Sequence, residues 1–194
     1  MHENLKVHKE SFMIRRIAIF IMVLMILIPI CLTAQAPVAR QADLRAGEPV
    51  SKQAVITQEL RGGEVELQAT GIYTSSEKSK SKAKKDIQKN GETNAIEDAK
   101  KAAIYHVLFL GNDPIIVKSE DRMRFTTRGD FVYETQNMNR YITYEASSIN
   151  AKEVFDDGTT IKVSKILRVN KPQLIRELKN KGIIQDSSPF DEFE

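Results

Sequence analysis

The chain has no tryptophan, one cysteine (Cys31) and three histidines (His2, His8 and His106) in 194 residues. A single cysteine excludes an internal disulfide framework and any cysteine-built zinc cluster. His2 and His8 precede a long apolar run, so His106 stands alone in the body of the chain, with no second imidazole to share a metal. The glycine patterns that cradle phosphates, G-x-x-x-x-G-K-S/T and G-x-G-x-x-G, are missing, as are G-x-S-x-G, H-E-x-x-H and a calcium loop. Asp156-Asp157-Gly158 has no glutamate at loop spacing to complete such a loop. Glu97 and Asp98 are adjacent, so on a helix their carboxylates point ~100° apart and cannot bracket one bond. No catalytic residue, cofactor or metal is expected.

What is present begins with an address. Residues 17–34 read IAIFIMVLMILIPICLTA, without a charge, and follow Arg15-Arg16. A basic start, an apolar stretch and the small-residue exit Ala34-Gln35-Ala36 describe an export signal cleaved after Ala34; the alternative is an uncleaved N-terminal membrane anchor. Either way the rest of the chain is expected outside the cytoplasm, in the periplasm or envelope. Ile30 before Cys31 is not the small residue that lipidation wants. Loss of residues 1–34 removes four basic and two acidic residues, so the net charge falls from +3 to +1. A nearly neutral chain lacks the basic footprint of a nucleic-acid binder, and no nucleic-acid partner is expected.

Residues 35–63 read as a linker, with a short helix near residues 52–60. Residues 64–73 alternate, Val65, Leu67, Ala69 and Gly71 on one face, which is the period of a half-buried strand. Gly71 marks a bulge or a place where a helix backbone packs closely. Residues 75–90, SSEKSKSKAKKDIQKN, carry Lys78, Lys80, Lys82, Lys84, Lys85 and Lys89. They read either as a solvated loop or frayed helix start, or as a basic patch, centred on Lys80, Lys82, Lys84 and Lys85, for an anionic envelope surface. No aromatic interleaves them to stack on a base. Asn90-Gly91 is expected to end any helix begun there.

Residues 93–110 form the clearest element. Ala95, Ile96, Ala99, Ala102, Ala103, His106, Val107 and Leu110 recur at helical spacing, Thr93 is a candidate cap, and Gly111 and Pro114 stop the run. Its alanines require a close neighbour, with Ala69 and Gly71 the candidates. Residues 115–117 and 131–133 look extended, and 119–129 charged and irregular. Residues 140–154 alternate in part, and Asp156-Asp157-Gly158 signals a hairpin into a strand over 160–170. Lys171-Pro172 opens a last helix that stops at Gly182. The order implies one α+β domain over residues 64–184, an antiparallel sheet of about four strands packed by one main helix and a short C-terminal helix. Residues 185–194 read as a disordered acidic tail whose Phe190 and Phe193 could add to a partner.

Two segments carry a resemblance. EVELQATGIY followed by NAIEDAKKAAIYHVL places an A-x-x-D-A-x-x-x-A run after a strand-end glycine, and IKVSKILRVNKPQLIRELKNKGII leads a strand straight into a leucine-spaced helix. Together, over residues 64–184, they resemble the N-terminal domain of the flagellar assembly protein T and similar small exported envelope lipoproteins. The resemblance implies an exported, non-catalytic α+β module, in the flagellar members part of a periplasmic ring around the motor. This chain departs by inserting the lysine stretch between strand and helix. The expected partners are therefore an envelope protein or further copies of the chain, with an anionic envelope surface as an alternative. A periplasmic enzyme or ligand carrier with a site near Tyr105, His106, Arg122, Arg124 and Arg128 is the other alternative.

Overall fold

The computed structural model describes residues 47–185. The expected export signal or anchor over residues 1–34, with Cys31, and the tail with Phe190 and Phe193 lie outside the described residues. Five antiparallel strands make one sheet, β1 (Ala54–Glu59), β2 (Glu64–Thr74), β3 (Ile142–Glu145), β4 (Ala151–Phe155) and β5 (Thr160–Asn170). β2 and β5 are the spine, paired along their whole length from Glu64 opposite Asn170 to Thr74 opposite Thr160. β1 flanks β2. β3 and β4 follow one another along the far side of β5, β3 against Leu167–Val169 and β4 against Thr160–Ser164.

The alternation of β2 and β5 sorts their side chains. Val65, Leu67, Ala69, Val163, Leu167 and Val169 are buried on the face that meets the main helix. That helix is longer than its periodicity indicates. It runs from α1 (Lys80–Asp86) through a π turn (Ile87–Gly91) into α2 (Glu92–Phe109) without a break. Its buried stripe, Ala83, Ile87, Gly91 and Ala95, advances by four residues each time. At 3.6 residues per turn such a stripe rotates by ~40° per step. The wider π turn takes out this drift and keeps the stripe on the sheet.

Asn90-Gly91 therefore does not end a helix, and Thr93 does not cap one. Gly91 is helical because a Cβ there would sit 3.1 Å from Cγ2 of Ile161 on β5. The expected close approach at Gly71 is present. A Cβ on Gly71 would fall 1.8 Å from the carbonyl oxygen of Ala95 and 2.4 Å from the amide nitrogen of Ala99. Ala95, Ala99, Ala102 and Ala103 are fully buried above it.

Five further expectations are corrected. Residues 52–60 hold no helix. They contain β1, so the domain begins inside the segment read as a linker. Only alternate residues of this edge strand are even half-buried, which weakens its pattern. Residues 115–117 form no strand; the Ile115 and Ile116 amides bond back to the carbonyls of Val107 and Leu108 at the end of α2. Residues 119–129 are not irregular but contain α3 (Ser119–Arg128), and residues 131–133 are a 3-10 turn rather than extended chain. The region 140–154 gives up its start to α4 (Thr135–Tyr141). These helices bury few residues each, Phe125 with Asp121 and Met138 with Tyr141, so no stripe announces them.

The β4–β5 turn and the last helix follow their local signals. Asp156, Asp157 and Gly158 all take positive φ, and β5 begins two residues later. In α5 (Lys171–Asn180) the Asn170 carboxamide oxygen accepts from the Gln173 amide, Pro172 occupies the first turn, and Gly182 follows at φ +63°. Among the described residues no helix is long and apolar enough to cross a membrane.

Candidate interaction surface

The six lysines of residues 78–89 fall into two groups. Lys80 and Lys84 turn toward the β4–β5 hairpin. The Lys80 ammonium lies 2.5 Å from the Asp157 carboxylate, and the Lys84 stem packs over Gly158, about 3.5 Å from where a Cβ would stand. Lys82, Lys85 and Lys89, three and four residues apart, occupy one sector of the helix on the side away from buried Ala83 and Ile87. All three are exposed and carry no ion pair among the described residues. Lys78 lies just before the helix and is exposed as well. The acidic residue of α1, Asp86, is held by neutral donors, accepting from Tyr73 and Ser75 hydroxyls at 2.8 and 2.7 Å and from the Asn90 amide at 2.8 Å. These donors, Ser75 first, keep its pKa below the usual aspartate value.

Beside the hairpin-facing lysines runs a cleft of about 420 Å³ with Ile87, Val154 and Ile161 as its apolar wall. Lys152 on β4 bridges it to Glu92 at 2.7 Å. The sequence marked the lysines but not Lys152, because its cationic end acquires meaning only when β4 is laid beside the helix.

Of the residues of the enzyme alternative, Tyr105 and Arg122 share the Phe109 ring as a neighbour, while Arg124 is engaged elsewhere. Tyr105 packs on Phe109 at 4.9 Å between ring centres, Phe109 meets Phe125 edge-on at 5.1 Å, and Arg122 lies 5.4 Å from the Phe109 ring. Arg124 is committed to the fold, donating to the Ile183 carbonyl at 2.9 Å and pairing with Asp121. Arg128 is exposed at the end of α3. His106, one residue from Tyr105, projects elsewhere on α2; its Nδ1 is buried without a hydrogen-bond partner. The clefts lined by residues 56–65, 84–92 and 173–181 include none of these five residues.

Burial holds the His106 pKa below its ordinary 6.5. The native state then binds fewer protons than the unfolded chain as pH falls below that value, so the stability this neutral imidazole contributes is present above pH 6.5 and is lost as pH falls through the folded pKa. Urea unfolding at pH 7.5 and 5.5 is expected to show a larger fall in midpoint for the native sequence than for His106→Phe. Equal falls would place the ring in water.

Two polar groups escaped the motif search, Asp98, which is buried, and Glu145, which is half-buried. Asp98, read from the sequence only as one of two adjacent carboxylates, accepts three backbone N–H groups, Val50 at 2.6 Å, Ser51 at 3.0 Å and Ile72 at 2.9 Å. Burial raises its pKa against the pull of those donors. Glu145, at the end of β3, joins Lys165 of β5 at 2.6 Å to Lys100 of α2 at 2.8 Å. Burial pushes the Glu145 pKa up, but the two ammonium groups together prevail and hold it below the usual value. A lysine among Val163, Leu167 and Val169 was the visible signal for this cluster; its partner came from another strand. Compared with protein families, curated proteins and solved structures, the chain finds no match.

Proposed function

We propose that this chain is an exported, non-catalytic module of the cell envelope that works by association, with an envelope protein or with further copies of itself, as in a periplasmic ring of the flagellar kind. The observation that carries this reading is the edge strand β1. Among the described residues it pairs with β2 alone, so one rim of its backbone N–H and C=O groups faces outward. Val55 beside that rim is 67% exposed. An open rim next to an exposed β-branched residue is a template for a strand from another chain. No lysine or proline within Ala54–Glu59 blunts it, and the register break between Ile56 and Gln58 confines regular pairing to one end. The commitment of Arg124 to Asp121 and the Ile183 carbonyl supports association over catalysis, and the apolar run after Arg15-Arg16 supports export.

A photo-reactive amino acid at Val55 of the full chain, activated in intact cells, is expected to capture a partner or a second copy. The same residue placed at Met123, exposed on α3, serves as the comparison. No adduct at Val55 above that at Met123 would overturn association through this edge. A reporter that works only outside the cytoplasm, fused after Glu194, is expected to be active, and a silent but stable fusion would overturn export.

A further inference from the structure

We infer that the outward lysine ridge of the main helix docks this domain on an anionic lipid surface. The ridge is Lys82, Lys85 and Lys89, all exposed, all on the side of the helix opposite its sheet contact, and none spent on a carboxylate among the described residues. The neighbouring Lys80 and Lys84 are used within the fold, which makes the division informative: the helix keeps one set of lysines for the hairpin and presents the other to solvent.

The ridge does not serve the helix itself. Cations spaced three and four apart on one face repel one another. The helix also continues through the π turn into α2, so these lysines are not near a helix C-terminus where a cation is favoured. Spread over seven residues, the three ammonium groups span ~10 Å along the axis, a flat row suited to several headgroups at once rather than to one small anion. No aromatic residue stands among them, and Asp86 beside them is already supplied with three neutral donors. Charge complementarity therefore selects an anionic, extended, sequence-indifferent surface.

With residues 17–34 retained as an anchor, a bilayer lies within reach. The apolar residues 17–34 precede the domain, and the twelve residues 35–46 can extend to at most about 40 Å. A tether of that length gives a weak electrostatic contact a high effective concentration. Each lysine near an anionic bilayer contributes a factor of about five to ten, so three give a docking preference of about 100-fold or more. This inference rests on the uncleaved-anchor alternative for residues 1–34 and not on association through β1; capture at Val55 can fail while docking holds, and the reverse.

The test uses the full chain with Cys31→Ser and Ser81→Cys, a fluorophore on the new thiol beside the ridge, reconstituted in phosphatidylcholine vesicles or in an equal mixture with phosphatidylglycerol. Quenching by headgroup-labelled lipid is expected only in the mixed vesicles and is expected to disappear near 1 M salt, where the Debye length is ~3 Å. K82Q/K85Q/K89Q is expected to lower the docking equilibrium about 100-fold, while K80Q/K84Q leaves it within a few fold and K82R/K85R/K89R retains it. Unchanged circular dichroism of the glutamine variants confirms that the helix persists. Equal quenching in both vesicle types, or a triple glutamine variant that docks like the native sequence, overturns the inference. Protection of the probe by soluble polyphosphate without any headgroup quenching would assign the ridge to a free anionic polymer and equally overturn it.

Discussion

Gly71→Ala is expected to destabilise the domain by about 3 kcal/mol or more, at the upper end of what overpacking costs. The added methyl would lie 1.8 Å from the Ala95 carbonyl oxygen and 2.4 Å from the Ala99 amide nitrogen. Both are backbone atoms inside a helix, so no side chain can rotate out of the way. The helix must lift off the sheet, and with it the contacts of Ala95, Ala99, Ala102 and Ala103, each fully buried. A loss of that size corresponds to roughly 10 °C in melting temperature for a domain this large. Gly62→Ala is the internal comparison. Gly62 sits in the β1–β2 turn at φ +85° with nothing within 4 Å, so alanine there meets only backbone strain, about 1–2 kcal/mol. Thermal unfolding of the two variants side by side would refute the packing argument if Gly71→Ala melted no lower than Gly62→Ala.

Asp98→Ala is the second large effect, about 3–5 kcal/mol, since buried donors left without an acceptor cost about 1–3 kcal/mol each. The reason lies at the end of β1. Thr70 donates to the Gln53 carbonyl, the last bond on that side of β2, and the next outward amide in register, Ile72, finds no strand there. The Asp98 carboxylate takes the place of the missing strand. One oxygen accepts from Ile72 and Ser51 and the other from Val50, which ties the entry segment, the sheet and α2 together. Asp98→Asn keeps one accepting oxygen but turns an N–H₂ toward an amide donor, so an intermediate loss is expected. Urea unfolding near neutral pH measures both. A loss below about 1 kcal/mol for Asp98→Ala would mean that water supplies these amides.

Both predictions show where local and tertiary information divide. β2, β5, α2 and α5 were legible because each buries one face of a regular period, and a face is a property of spacing alone. The β4–β5 turn was legible for a similar reason, since Asp-Asp-Gly accepts the positive φ that the turn imposes. Gly71 stood out as a glycine within a run of alternating side chains, and the alanine-rich helix named its neighbour. The candidate lysines were visible as composition, but not as two groups.

What the sequence alone determined is thus the layer architecture, a sheet of alternating strands under one close-packed helix. The tertiary structure decided the rest. Gly91 lies inside a helix rather than ending one, its missing Cβ leaving room for Ile161, and the π turn keeps a stripe advancing by four on the sheet. α3 and α4 form where a few residues such as Phe125, Met138 and Tyr141 join the core and no repeating pattern is needed. β1 becomes a strand only because β2 offers its edge. Lys80 and Lys84 part from Lys82, Lys85 and Lys89 because the hairpin brings Asp157 and Gly158 to one flank of the helix and leaves the opposite flank to solvent. Periodicity reports which face of an element is buried; which groups meet across elements is set by packing between residues far apart in the chain.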